Sequence, residues 1–278
     1  MKKALILITL FLIALPTFSQ KKEKIKGSKI VTIQKKQIES FNSVEILDNL
    51  EVFLVKGNEC GIEIEADDNL HEAIEIVVHG NILRVATLKN IVGAKKLSLR
   101  ITYTNDFKEI TARNEATVSI IEFLELDAIT IKSFDYAELF INAKPKTFNL
   151  SMNDKSKAEL NLKAENSTIS LSKNATLKAL IASENLIFDM YQKSEANIEG
   201  DTNNLKLRLD NNAQFTGKNF ACKNVNLTTE AYSKASLFAK DNITISALAK
   251  SEIQLYGDPK IAITQFLDSA ILMKKPSK

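Results

Sequence analysis

Two histidines, His71 and His79, are the only imidazoles in the 278-residue chain, and an acidic pair, Asp67-Asp68, stands just before the first. A spacing of eight would set both imidazoles on one helical face, where they could share a transition metal. In "LHEAIEIVVHG", however, the stretch around His79 alternates like a strand, and no cysteine or carboxylate cluster completes a ligand set. Asp67-Asp68 could seed a calcium site, yet Asp is favoured at turns, and turn chemistry accounts for the pair. Cys60 and Cys222 are the only cysteines, too few for a disulfide scaffold, and are expected as unpaired, half-buried thiols. Glycoside hydrolysis needs two carboxylates converging on one cleft, and a lyase needs a base beside acids or a metal. Acids and lysines here sit on almost every polar corner without forming a constellation. No Gly-rich phosphate loop, nucleophile elbow or Cys-x-x-Cys is present. The expected catalytic, cofactor-binding and metal-binding residues are therefore none. Asn149, Asn166, Asn174, Asn226 and Asn242 begin glycosylation sequons, which follow from a repeat rich in Asn, Ser and Thr.

The elements that would carry any site are short strands. From about Ile38 onward, runs such as "SVEILDN", "EVFLVKG" and "GIEIEAD" alternate apolar and polar residues, the period-2 signal of half-buried strands. In "IEIVVHGNILRVAT" two such runs flank Gly80-Asn81, a pair suited to positive φ, which predicts a β-hairpin. From about Asp106 a small residue recurs after a polar corner: Ala116, Ala137, Ala158, Ala175, Ala196, Ala213, Ala235 and Ser251. Residues 137, 175, 213 and 251 are 38 apart each time, while 158, 196 and 235 differ by 38 and 39. A fixed period with strands and corners in every unit belongs to stacked coils, none of which can bury its apolar face alone. The fold class is thus all-β, a parallel β-solenoid of about 19 residues per coil with a 38-residue double repeat. Its core is expected to contain Leu150, Leu171, Phe188, Leu207, Leu227 and Ile245, with Leu209 a weaker candidate near its corner. The marker is expected to be small because a tight corner turns the chain inward there.

The first residues are of another kind. "MKKALILITLFLIALPTFSQ" has a basic start, an apolar run from Ala4 to Leu15, a breaker at Pro16 and small residues at Thr17 and Ser19, the layout of a secretory signal peptide cut before Gln20. The run is shorter than the roughly 20 residues of a membrane span, so no transmembrane segment is expected after cleavage. No cysteine follows it to accept a lipid. Five lysines between Lys21 and Lys29 and the tail "KKPSK" suggest a polyanion or a membrane surface, but frayed, solvated termini account for them. A net charge of +3 with both signs interspersed and only four arginines argues against nucleic acid. The expected layout is a signal peptide over 1–19, a basic polar lead-in over 20–37, an N-terminal β region with a hairpin over 38–105, a β-solenoid over 106–273 and a basic tail over 274–278.

The entry "FNSVEILDNLEVFLVKGNECGIEIEADDNL", the hairpin ending "GNILRVAT" and the exit "SEIQLYGDPKI", with its Tyr256-Gly257-x-Pro259 corner, resemble one family over roughly residues 38–260. It is the putative auto-transporter adhesin, head GIN domain family of bacterial envelopes. The resemblance implies a right-handed parallel β-helix, similar in shape to pectin lyases, without a recognised catalytic set and with a role in adhesion. The family tends to use Ser-Gly corners, where this chain has only eight glycines and sets Asn, Lys and Glu. Three functions are weighed. The first is a non-catalytic exported scaffold of the periplasm or cell surface, binding a glycan, matrix or envelope protein. The second is a polysaccharide-active enzyme of the lyase kind, which an aromatic groove would favour; there is no Trp, and Tyr is limited to Tyr103, Tyr136, Tyr191, Tyr232 and Tyr256. The third is an envelope accessory or stress-related component.

Overall fold

The structure, a computed structural model, describes residues 22–276, so the expected signal peptide lies outside the described residues. The chain is nearly all strand and winds into a β-solenoid of about nine turns, about 19 residues apart. Each coil adds one segment to a front sheet and one to a back sheet, and both sheets pair in parallel along the stack. The front sheet aligns Leu150, Ile169, Phe188, Leu207, Leu227 and Ile245 as successive register partners. Leu171 lies two residues further, in a neighbouring ladder with Met152, Met190 and Leu209. All six expected core residues are buried, and so is Leu209, the one given less weight. Proximity to a corner does not expose it, because the chain turns only after its side chain has pointed inward.

The strands are longer than the sequence pattern predicts. Between Lys157 and Ala247 each coil is one strand of 14 to 16 residues that runs through the back sheet, bends and continues into the front sheet. At this bend the hydroxyls of Ser183 and Thr202 donate to the carbonyls of Asn185 (3.0 Å) and Asn204 (3.3 Å), satisfying groups that the bend frees. Just after it runs an amide ladder: Asn185 donates to Asn166, Asn204 to Asn185, Asn224 to Asn204 and Asn242 to Asn224, at 2.9 to 3.1 Å. Two sequon residues, Asn166 and Asn242, are members of this ladder.

The recurring small residue occupies two rows. Ala137, Ala175, Ala213 and Ser251 share the corner row with Ser156, Ser194 and Ser233, each closing its turn with a backbone bond to the residue three before it. Ala158, Ala196 and Ala235 stand two residues further, inside the back sheet, where their register partners are Leu139, Leu177, Phe215 and Ile253. That row therefore alternates large and small, and the next inward row alternates in the opposite phase: Leu160, Ala179, Ile198, Gly217, Leu237. Between Lys157 and Ala247 each coil holds one large and one small residue, while the flanking coils hold two large ones, Leu139 with Ile141 and Ile253 with Leu255. The 38-residue recurrence is this packing rule, two coils long. Gly217 is its extreme case, since a Cβ there would come within 2.5 Å of the Phe215 ring. The ring of Phe215 in turn meets Phe188 of the front sheet edge-on, with centroids 5.6 Å apart, which ties the sheets together across the core.

Stacking order differs from chain order at the N-terminal end. The coil made of Ser43–Ile46 and Glu51–Lys56 lies between the coil of Ile82–Thr87 and Leu97–Tyr103 on one side and that of Glu109–Ala112 and Thr117–Leu124 on the other. The intervening chain folds back as antiparallel strands, Gly61–Asp67 and Ile74–His79, that cover this end of the stack. Gly80-Asn81 forms the turn of the hairpin between Ile74–His79 and Ile82–Thr87. The basic lead-in is paired rather than frayed: Lys24–Lys26 lies along Asn90–Val92, and Val31–Gln37 runs antiparallel to Gly61–Asp67. Its alternation carries too few apolar residues to read as a strand, and it is exposed along nearly its whole length. One continuous apolar cluster runs from Phe41 to Leu255.

Candidate functional site

The corners bear the polar residues on which the sequence reading turned. Asp48, Asn114, Asp135 and Asp154 adopt positive φ near 60°, a conformation that Asp and Asn tolerate best. Their side chains form a ladder in which Asn114 accepts from the Asp48 N–H (3.2 Å), Asp135 from that of Asn114 (3.0 Å) and Asp154 from that of Asp135 (3.4 Å). In later coils the positive-φ residues come in pairs, including Ala231-Tyr232 and Ala249-Lys250. These take the place of the glycine corners that the resemblance implies. Corner aromatics carry cations: Lys155 lies 5.1 Å from the ring of Tyr136, Lys250 5.5 Å from Tyr232, and Arg208 5.5 Å from Tyr191.

The residues that could have done chemistry are held apart in structural roles. Asp67 is fully buried; although burial disfavours its charge, three backbone N–H groups, from Lys29, Lys95 and Lys96, hold the carboxyl below its ordinary range. A Cβ at position 27 would strike that carboxylate, which is why Gly27 stands there. Asp68 accepts from the Ser28 hydroxyl. His71 closes the short helix Asp68–Ala73 and bonds Thr32 at 2.8 Å, while His79 sits at the hairpin turn. No group of three or more His, Cys, Asp or Glu suited to a metal occurs among the described residues. Cys60 and Cys222 are unpaired and buried rather than half buried, because both point into the core. Burial drives the Cys222 thiol far above the ordinary range, so it stays protonated. Tyr103, buried and stacked on Phe107 at 4.8 Å, is pushed up to about 12 by burial, with Glu122 adding to the shift.

A different set of residues forms a concavity with an apolar lining. Register between Thr117–Leu124 and Glu138–Ala143 slips between Ile120 and Leu124, and the extra residues bulge outward. Asn142 pins the bulge by donating to the carbonyls of Ile120 (3.1 Å) and Ile121 (2.9 Å), and Asn161 donates to Asn142 at 3.2 Å. Beside this overhang lies an open groove of about 640 Å³ on the outer side of the back sheet. Phe53, Phe140, Ile121 and Leu180 supply its apolar lining, and Asn142, Asn161, Glu159 and Lys178 its polar groups. Ile121 is 72% exposed, Leu180 53% and Phe140 42%, a cluster of apolar side chains in water on the outer side of a rigid sheet. Glu159 and Lys178 face each other at 3.9 Å as an exposed pair. Sequence reasoning looked for Trp and Tyr and passed over these phenylalanines. Their signal was present in "ELFINA" and "EVFLVKG", where Phe140 and Phe53 fill outward positions of the alternation. The groove brings apolar faces and amides together; neither histidine and neither cysteine lines it.

Comparison with solved structures finds the same fold in distant relatives. A putative adhesin from Parabacteroides distasonis ATCC 8503 superposes with a TM-score of 0.65 at 15% identity, covering 91% of this chain and all of that one. A putative adhesin from Parabacteroides merdae ATCC 43184 gives 0.61 at 16% identity, covering 91% and 98%. A protein from Parabacteroides distasonis ATCC 8503 described as a putative lipid binding protein gives 0.53 at 14% identity, covering 92% and 98%. No curated protein matches the sequence. Among the described residues no helix is long and apolar enough to cross a membrane. Residues 40–259 match one family throughout, and the chain belongs to it: the putative auto-transporter adhesin, head GIN domain family.

Proposed function

We propose that the chain is an exported, non-catalytic β-solenoid of the bacterial envelope, and that it binds a surface glycan in the groove beside the Ile120–Leu124 bulge. The observation behind this reading is the groove's composition: exposed Phe140 and half-buried Phe53 line it together with Asn142 and Asn161 on one rigid sheet. Sugar rings pack their C–H faces on aromatic rings and offer hydroxyls to amides, and a few placed polar groups in an apolar cleft set orientation. Catalysis asks for something else, a nucleophile, base and orienting group converging on one point. Glu159 and Glu199 line the groove, but Glu159 already faces Lys178. Family membership supports a binding or adhesion role at the coarse level, and the first 19 residues support export.

The test pairs a glycan-array screen with reducing-sugar and unsaturated-product assays on the chain from Gln20 onward. Binding that Phe140→Ser and Leu180→Ser each weaken, without product, supports the reading. Product formation abolished by one substitution would establish the polysaccharide-active alternative. Binding confined to lipid vesicles would instead favour a role like that named for the lipid-binding relative.

A further inference from the structure

The Tyr256-Gly257-x-Pro259 corner does not end the solenoid. One more coil follows, beyond the part matched by the family: Lys260–Phe266 pairs with the front segment of Lys234–Ala247, and Ile271–Lys274 pairs with Glu252–Tyr256. Neither strand has a partner on its other side among the described residues. The inward ladders run straight into this open edge. Ile243 and Ile245 are at most 1% exposed, whereas their partners in the last coil, Ile261 and Ile263, are 47% and 52% exposed. Phe266, Leu267 and Ile271 add to the same uncovered end.

The opposite end finishes in polar residues. There Gly61–Asp67 and then Val31–Gln37 extend the stack as antiparallel strands, Ile62 and Ile64 of the first are buried, and their register partners on the outer strand are Lys36 and Gln34, a common guard against edge pairing, although Ile33 on that strand is exposed. Head-to-tail stacking would press those polar residues against an apolar coil. We infer that two copies of this chain join tail to tail through the coil 260–275, related by a twofold axis. A second copy presents the same coil cross-section, so the ladders that stop at Ile261 and Ile263 continue into its own. A twofold across this end sets the edge strands antiparallel, an arrangement their free N–H and C=O groups accept. The extra residue in the pairing of Lys260–Phe266 lies beyond Ile263, where Thr264 turns its hydroxyl back to the Ile245 carbonyl at 3.1 Å. Backbone pairing between copies therefore runs on Lys260 to Ile263 and on Ile271–Lys274, while Phe266 and Leu267 meet through side chains. The strands offer seven and four residues per copy, fewer than the roughly 20–30 a side of a standard interface, so the pair is a weak one with Kd on the order of micromolar.

Sedimentation velocity on the chain from Gln20 onward, from about 1 to about 500 μM so as to bracket that Kd, reads the equilibrium. A concentration-dependent monomer–dimer transition is expected. Ile261→Lys/Ile263→Lys on the front sheet, and separately Ile271→Lys on the back sheet, should each weaken it about tenfold or more, a change of at least about 1.4 kcal/mol. Far-UV circular dichroism should stay unchanged, since these side chains are already half in water. Spin labels at Asp268→Cys should lie close together in the dimer. Labels at Lys36→Cys should be separated by roughly twice the rod, on the order of 90 Å at about 4.8 Å per coil. A chain that stays monomeric across the range overturns the inference. So does a dimer that survives both sets of substitutions, or one whose short distance is between the Lys36→Cys labels.

Discussion

Swapping the large and small residues of one coil tests the packing rule directly. In the coil starting at Glu195, Ala196 lies between Leu177 and Phe215, and Ile198, its large partner two residues on, is 1% exposed beside Ala179. Ile198→Ala alone empties a buried site and should cost about 2–5 kcal/mol. Ala196→Leu alone forces methylenes between two large neighbours and should cost about 1–3 kcal/mol. The double change Ala196→Leu/Ile198→Ala keeps the coil's volume. If volume per coil were all that mattered, it would lie within about 1.5 kcal/mol of the parent. The structure says otherwise: Leu would then stack in line with Leu177 and Phe215, and Ala in line with Ala179, crowding one row and emptying the other. The two changes should therefore add, to at least about 3 kcal/mol, with little coupling. Urea unfolding of the parent, both single variants and the double variant, with m-values compared to detect local unfolding of neighbouring coils, supplies the cycle. A double variant within about 1 kcal/mol of the parent would refute interdigitation between coils.

Other consequences are more local. Leu207→Ala should cost about 2–5 kcal/mol in the same denaturation assay, because Phe188 and Leu227 flank a fully buried site that cannot collapse. Ser194 and Ser156 share the corner row, but the Ser156 hydroxyl donates to the Asn153 carbonyl at 2.8 Å while the buried Ser194 hydroxyl has no partner among the described residues. Ser194→Ala should thus stabilise by about 1 kcal/mol and Ser156→Ala destabilise by about 0.5–1.5 kcal/mol, and equal melting shifts would contradict the distinction. Ala231 holds φ at +46°, so Ala231→Gly should raise stability by up to about 1 kcal/mol, with a lowered melting temperature as the contrary result. At Asp48, burial opposes the charge, but bonds from Lys22 and from the N–H and hydroxyl of Thr87 outweigh it and hold the carboxyl below its ordinary range. Its contribution is then complete above the unfolded value of about 4 and lost as pH falls through the lower folded one. Asp48→Asn should flatten that part of the stability–pH curve, and an unchanged acid limb would count against the assignment.

Particular residues show why the fold was easier to read than the site. The corner row Ala137, Ala175, Ala213 and Ser251 is spaced along the chain as it is stacked in space, so counting recovers it. The interleaved Ser156, Ser194 and Ser233 went unnoticed because serine is also a common loop residue, and only the turn bonds show that both sets share one row. The insertion of the coil from Ser43 to Lys56 between two later ones left no trace in local pattern. Its partners are Ile82–Thr87 and Leu97–Tyr103 on one side and Glu109–Ala112 and Thr117–Leu124 on the other, and parallel pairing carries no turn to mark it.

The groove was harder still, for a reason intrinsic to period-2 reading. Such a reading assigns inward positions to the core and treats outward ones as interchangeable, yet Phe53, Phe140 and Leu180 are outward residues whose meaning comes from being neighbours across separate coils. Phe140 is flanked by Leu139 and Ile141, both buried, so an unbroken apolar run "LFI" inside an alternating strand is the local trace of an outward aromatic. In a solenoid every such excess falls on the outside of a sheet with a known coil offset, and residues one or two multiples of 19 apart become candidates for the same surface. Applied here, Leu180 lies 19 residues from Asn161, and Asn161 lies 19 from Asn142, which places the apolar excess beside the amides that pin the bulge. The offset that reveals the core thus also locates the groove once outward apolar residues are treated as signal.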